Sequence, residues 1–195
     1  MNYDDKCHLL IIGNSSVGKT SILYKYSSKL FNENYIPTVG LDFCTKDENI
    51  DNKTIRIKIW DTAGQERYRS LVKCFFHKAQ GIILVFDVTN KKSFDDLKIW
   101  IDFIKSEIYD DIYKTPIIII GNKTDLPKRV ISKDTATSFS KEYNLHYYET
   151  SAMSGDGIET AIKDLAKKII NNGGNKGGKY NLRLSESNKN SSKCC

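Results

Sequence analysis

A chain of 195 residues has room for one domain with a sizeable core plus a tail, and 39% hydrophobic against 28% charged residues excludes a fibrous or wholly disordered protein. The net charge of +6 could suggest a nucleic-acid partner, but Lys176, Lys179, Arg183, Lys189 and Lys193 against Glu186 (five bases less one acid) place +4 of it in the last 25 residues, so no basic groove for DNA or RNA is expected. Five cysteines (Cys7, Cys44, Cys74, Cys194 and Cys195) show no CxxC or paired His spacing that would suggest zinc and fit reduced cytosolic thiols, and no apolar run suits a signal peptide or a membrane span.

In chain order, Leu9 to Ile12 is a continuous apolar run, the mark of a strand buried on both faces. It is followed by Gly13 to Thr20, GNSSVGKT, which fits GxxxxGK[ST], and then by helical spacing from Thr20 to Leu30. In that setting glycines let backbone N–H groups turn inward around phosphate and the helix N-terminus adds its positive end. Lys19 would reach the β and γ phosphates and the Thr20 hydroxyl would bind magnesium. Chance alone produces the pattern in on the order of one chain in a hundred of this length, and it does not also supply the flanking strand and helix.

Leu41 to Ile50 pairs with the alternating segment Thr54 to Trp60 across an Asp51-Asn52 turn, the second strand half-buried and nearer the sheet edge. DTAG at Asp61 to Gly64 closes that strand: a carboxylate there can hold magnesium through water while the Gly64 N–H faces the γ phosphate. DxxG alone is most often only a turn. Ile82 to Phe86 and Ile117 to Ile120 are two more buried strands, separated by a predicted helix, Ser93 to Ile108, with Phe94, Leu97, Trp100, Ile101 and Ile104 on one face. NKTD then supplies Asn122, Lys123 and Asp125. The Asp125 carboxylate can accept the ring N–H and exocyclic amine of guanine, a donor pair adenine lacks, and a site of that kind discriminates by roughly 10⁴ to 10⁵. Helices are predicted at Lys133 to Tyr143 and Gly157 to Ile170. Alternating strands and helices give an α/β doubly wound sheet with ligands outside the strand carboxyl ends. The Gly/Ser/Asn-rich remainder is an aperiodic linker, so residues 1–170 form the domain and 171–195 a flexible tail.

GNSSVGKT, Pro37-Thr38, WDTAGQE, NKTD and Thr150-Ser151-Ala152 resemble, in order, the five nucleotide motifs of the Ras superfamily of small GTPases, over roughly Cys7 to Ile170. VGLDF (Val39 to Phe43), RYRSL (Arg67 to Leu71), VFDVT (Val85 to Thr89) and the Cys194-Cys195 ending resemble the Rab family. The resemblance implies a P-loop small GTPase domain, a mostly parallel six-stranded sheet with helices on both faces, that binds GTP or GDP with Mg²⁺ and regulates vesicle traffic. It implies nucleotide contacts from Gly13, Asn14, Ser15, Ser16, Val17, Gly18, Lys19, Thr20, Ser21, Phe31, Tyr35, Thr38, Asp61, Gly64, Asn122, Lys123, Asp125, Ser151, Ala152 and Met153. Phe31 should pack on guanine, and Ala152 should offer it a backbone N–H. Thr20, Thr38 and Asp61 should hold the metal, and Gln65 should orient the attacking water. The switches would be about Phe31 to Asp42 and Asp61 to Phe75.

Val39, Gly40, Leu41, Asp42, Phe43, Trp60 and Phe75 would meet effectors, although a plain core role for the aromatic residues stays open. Departures from the family pattern are FFHKA at Phe75 to Ala79, Met153 in place of a lysine, and Ser15 and Ser16 at positions that are glycine in Ras. Geranylgeranyl groups on Cys194 and Cys195, with the basic tail as tether, imply anchoring at the cytoplasmic face of membranes with a cytosolic pool. Implied partners are effectors, an exchange factor, a GTPase-activating protein and a GDP-dissociation inhibitor, for a monomer that binds no nucleic acid. Two rivals remain at this point. A P-loop nucleoside or nucleotide kinase would need an Arg-rich lid, and only five arginines occur. A fold-mate could also hold GTP without hydrolysing it.

Overall fold

The computed structural model of the chain describes residues 3–28, 41–62, 73, 75–76, 78–108 and 115–172. Their elements are β1 (Asp5–Ile12), α1 (Lys19–Ser28), β2 (Leu41–Ile50), β3 (Lys53–Thr62), β4 (Gly81–Asp87), α2 (Lys91–Asp95), α3 (Leu97–Glu107), β5 (Ile117–Asn122), α4 (Lys133–Glu142), β6 (His146–Glu149) and α5 (Ile158–Asn171). The strands form a six-stranded sheet in the order β2-β3-β1-β4-β5-β6. β2 and β3 pair antiparallel and every other neighbouring pair is parallel.

Local chemistry explains most of these boundaries. The β2–β3 hairpin closes with Ile50 opposite Lys53, leaving Asp51 (φ 50°) and Asn52 (φ 63°) as the two loop residues. Positive φ at both is what a type I′ turn requires, and Asp and Asn tolerate it better than other side chains. The central strands are continuous apolar runs because both faces are covered: every residue of β4 is buried. On one face Leu9, Ile11, Ile57 and Val85 pack with Ile22 and Tyr26 of α1 and Ile162, Leu165 and Ile169 of α5. Opposite them, Leu10, Ile12, Leu84 and Ile119 meet Leu97, Trp100 and Ile104 of α3 and Ala136 of α4.

Two expectations need correction. The helix foreseen over Ser93 to Ile108 is two helices, α2 and α3, that meet at Asp96. It starts earlier because the Asn90 side chain accepts from Ser93 N at 3.2 Å and caps α2. Asp96 keeps right-handed dihedrals (φ −72°, ψ −9°), so the apolar spacing runs across the joint without a break. The sixth strand, β6, has no counterpart among the predicted runs: it is four residues long and exposed at His146. The helix expected over Thr20 to Leu30 is observed as Lys19–Ser28, its last two expected residues lying outside those described.

Candidate nucleotide site

The carboxyl ends of β1, β3, β4, β5 and β6 lie along one rim, and the sequence motifs are the segments that leave them. After β1 the chain reverses through Gly13 (φ 140°), Ser16 (φ 64°) and Gly18 (φ 96°) into α1. A Cβ on Gly13 would stand 2.2 Å from the Val85 carbonyl oxygen, and one on Gly18 2.3 Å from Asn122 Nδ2, so the loop can lie this close to β4 and β5 only with glycine at both.

Lys19 opens α1 and is only 5% exposed. Its Nζ donates to the carbonyl oxygens of Gly13 at 3.0 Å and Asn14 at 2.7 Å. Burial lowers its pKa from 10.5 to about 8, partly opposed by the Asp61 carboxylate. A buried cation matched mainly to carbonyl dipoles at a helix N-terminus is a strong attractor for phosphate. Beside it Thr20 Oγ1 donates to Asp61 Oδ2 at 2.5 Å, with Asp61 only 1% exposed at the end of β3. A hydroxyl and a carboxylate held together are hard oxygen donors, and that donor set fits Mg²⁺. A cleft of about 120 Å³ opens between α1 and the start of β2, with Thr20, Asp61, Tyr24 and Phe43 in its walls.

On the far side of the rim Asn122, fully buried, ties three loops together. Its Nδ2 donates to Val17 O at 2.9 Å, and its Oδ1 accepts from Thr150 Oγ1 and from Ala152 N, each at 3.1 Å. The Ala152 N–H expected to face a base is therefore engaged by Asn122. Ser151 Oγ donates to Asp125 Oδ1 at 2.6 Å and accepts from Ser154 N at 3.1 Å, which fixes one oxygen of the carboxylate. Lys123, at φ 67°, places Nζ 2.6 Å from Asp87 Oδ2, and Asp87 Oδ1 accepts from Thr89 N and Oγ1. Met153 is exposed next to this end.

The structure thus brings together residues 13–20, Asp61, Asn122, Lys123, Asp125, Ser151, Ala152 and Met153. Asn14 turns its side chain away from the loop, toward Asp96 and Trp100. Phe31, Tyr35, Thr38, Val39, Gly40, Gly64, Gln65, Cys194 and Cys195 lie outside the described residues, as does the side chain of Leu41. Of the surface aromatic residues, Phe43 is 55% exposed, whereas Trp60 is 6% exposed and packs on His8 and Phe75 with ring centroids at 5.1 and 5.6 Å. Lys58 Nζ lies over the Phe43 ring at 3.8 Å.

Sequence reasoning missed Asp87, Asp96 and Trp100 as supports of the site. Asp87 could have been found, because it ends a strand on the same rim as the motifs. Among the described residues no helix is long and apolar enough to cross a membrane.

Residues 8–171 match the model of the Ras family. The chain is 40% identical to the Ras-related protein Rab-8B of Homo sapiens over 187 residues, covering 95% of this chain and 86% of that protein. It is 41% identical to the Ras-related protein Rab-8A of Bos taurus over 168 residues, covering 86% and 80%. The loop of residues 13–20 and the NKTD loop on one shared rim, carried on this sheet order and matched over most of the chain by such relatives, mean that the chain belongs to the Ras family and is a Rab-type small GTPase.

Proposed function

We propose that the chain is a membrane-anchored switch whose nucleotide is held at one end by residues 13–21 and at the other by Asn122, Lys123, Asp125, Ser151, Ala152 and Met153, with Phe31 and Tyr35 completing the pocket. The observation that carries this reading is the meeting on one rim of a buried lysine, a hydroxyl–carboxylate pair and an Asp125 carboxylate aligned by Ser151. Thr20 and Asp61, with Thr38, would hold Mg²⁺, which when bound neutralises charge on the β and γ phosphates. Lys19 draws negative charge into the loop, Gly64 offers its N–H to the γ phosphate, and Gln65 orients water for attack. By analogy with unassisted Ras, turnover is slow, on the order of 10⁻⁴ to 10⁻³ per second.

In the GTP state Val39, Gly40, Leu41, Asp42, Phe43, Trp60 and Phe75 form the surface read by effectors, with Trp60 acting through its packing under Phe75. An exchange factor, a GTPase-activating protein and a GDP-dissociation inhibitor complete the cycle. Residues 1–170 carry the switch. The tail 171–195 carries +4 and ends in Cys194 and Cys195, whose two geranylgeranyl chains meet the two-signal requirement for stable anchoring at a cytoplasmic membrane face. The test is nucleotide uptake by purified protein in magnesium buffer, followed by single-turnover phosphate release. GTP taken up far better than ATP, and GTP retained by Gln65→Leu, are the expected results. Equal uptake of ATP defeats the assignment of Asp125, and undiminished hydrolysis by the Leu variant defeats that of Gln65.

A further inference from the structure

Asn14 belongs to the phosphate loop by sequence, yet both polar atoms of its side chain are committed on the side away from it. Nδ2 donates to Asp96 Oδ2 at 2.7 Å, and Oδ1 accepts from Trp100 Nε1 at 2.7 Å. Its own backbone carbonyl accepts Lys19 Nζ at 2.7 Å. One residue therefore joins the seat of the buried ammonium to the joint between α2 and α3, more than 80 residues further along the chain. The arrangement is chemically directed. A carboxylate can only accept and an indole N–H can only donate, so an amide fits between them in a single orientation. Asp96 makes its bond charge-assisted, and Trp100 is buried in the core below, so the clamp stands on fixed elements.

We propose that Asn14 is a positioning residue for the nucleotide: Asp96 and Trp100 hold its peptide unit in place, that peptide fixes where the Lys19 ammonium sits, and the clamp thereby sets how slowly GDP and GTP leave. This rests on the reading of residues 13–20 as the phosphate cradle. The Asn14 side chain, turned to Asp96 and Trp100, acts on the ligand through the peptide that seats Lys19.

The experiment measures release of a fluorescent GDP analogue from the full chain in magnesium buffer, alongside thermal melting. Asn14→Asp sets two carboxylates against each other and should speed release about tenfold or more, the worth of a lost charge-assisted hydrogen bond. Asn14→Ala, which adds no charge, should move the rate in the same direction. Asp96→Asn alone keeps an amide donor and acceptor pair and should stay within about threefold of the parent. The decisive variant is the swap, Asn14→Asp with Asp96→Asn, in which the amide donates from the other side while Trp100 still finds an acceptor. Release should return to within about threefold of the parent, a rescue that general loosening of the fold would not produce. A swap that releases as fast as Asn14→Asp, or an Asn14→Ala rate equal to the parent's, overturns the proposal and leaves the cradle standing. A Lys19→Ala variant that holds GDP as well as the parent removes the cradle itself, and this proposal with it.

Discussion

The two ends of the proposed nucleotide site both bury polar groups but satisfy them differently. At the base-reading end Asn122 is enclosed and makes three hydrogen bonds, to Val17, Thr150 and Ala152, while Lys123 is matched by a full opposite charge on Asp87. At the phosphate end Lys19 is almost as enclosed, but its charge rests on the carbonyl oxygens of Gly13 and Asn14, and burial takes its pKa down to about 8. The first end is therefore stable in itself and serves to hold three loops in register. The second carries a desolvation cost that an anion would relieve, so on the proposed reading ligand affinity is concentrated there.

Lys19→Ala tests the contrast most severely. Removing the buried cation should weaken GDP binding by about three orders of magnitude, in line with the loss of one partner of a buried charge pair. Because the variant also removes a buried charge from the chain, its melting temperature should not fall, and a variant that unfolds instead would show that this lysine is structural. Asn122→Ala should behave in the opposite way. Three lost hydrogen bonds should cost about 3 kcal/mol of stability by denaturant titration, with binding lost as a consequence of loosened loops. A fully stable Asn122→Ala would end the description of this end as a self-supporting brace.

A pH titration of GDP affinity addresses the phosphate end through Lys19. Lys19 has a pKa of about 8 in the folded chain against 10.5 for the ordinary group. Between those values the unfolded chain binds more protons, so this residue makes stability rise with pH across that window, and its cost is largest below pH 8. An anion binds the charged form. The protonated fraction falls from about nine-tenths at pH 7 to about one-tenth at pH 9, so GDP affinity should weaken about tenfold over that interval. A flat profile would mean that the ammonium is already charged and satisfied.

How much of this was legible in the sequence follows the same division. The phosphate loop, Asp61 and NKTD were readable because each is a short run whose chemistry is local, and the Asp51-Asn52 turn because its residue types announce positive φ. The Asn122 bond to Val17 spans 105 residues, and the Asn14 bond to Trp100 spans 86, distances at which spacing carries no information. β6 escaped because HYYE is short and half-exposed, without the apolar run that marked β4 and β5. The α2–α3 joint escaped because periodicity reads side-chain direction, and Asp96 leaves that direction unchanged.

The smallest expected effect is also the one that compares the two ends residue for residue. Ser16 and Lys123 are both non-glycine residues in the left-handed region, at φ 64° and 67°. That conformation costs an ordinary residue roughly 1–2 kcal/mol, and glycine relieves it while adding about 0.5–1 kcal/mol of unfolded-state entropy to be overcome. Ser16 is exposed at the phosphate end, so Ser16→Gly should gain about 0.5–1 kcal/mol, or roughly 1–4 °C in melting temperature. Lys123 at the base end has its strain offset by the 2.6 Å pair with Asp87. Lys123→Gly removes that pair and leaves Asp87, almost fully buried, without its cation, so the same substitution should lower the melting temperature. Opposite signs in two parallel melts would support a base end braced by its own side chains and a phosphate end that is not. The same sign in both would mean that backbone strain outweighs the Asp87 pair, and the distinction between the two ends would have to rest on Asn122 alone.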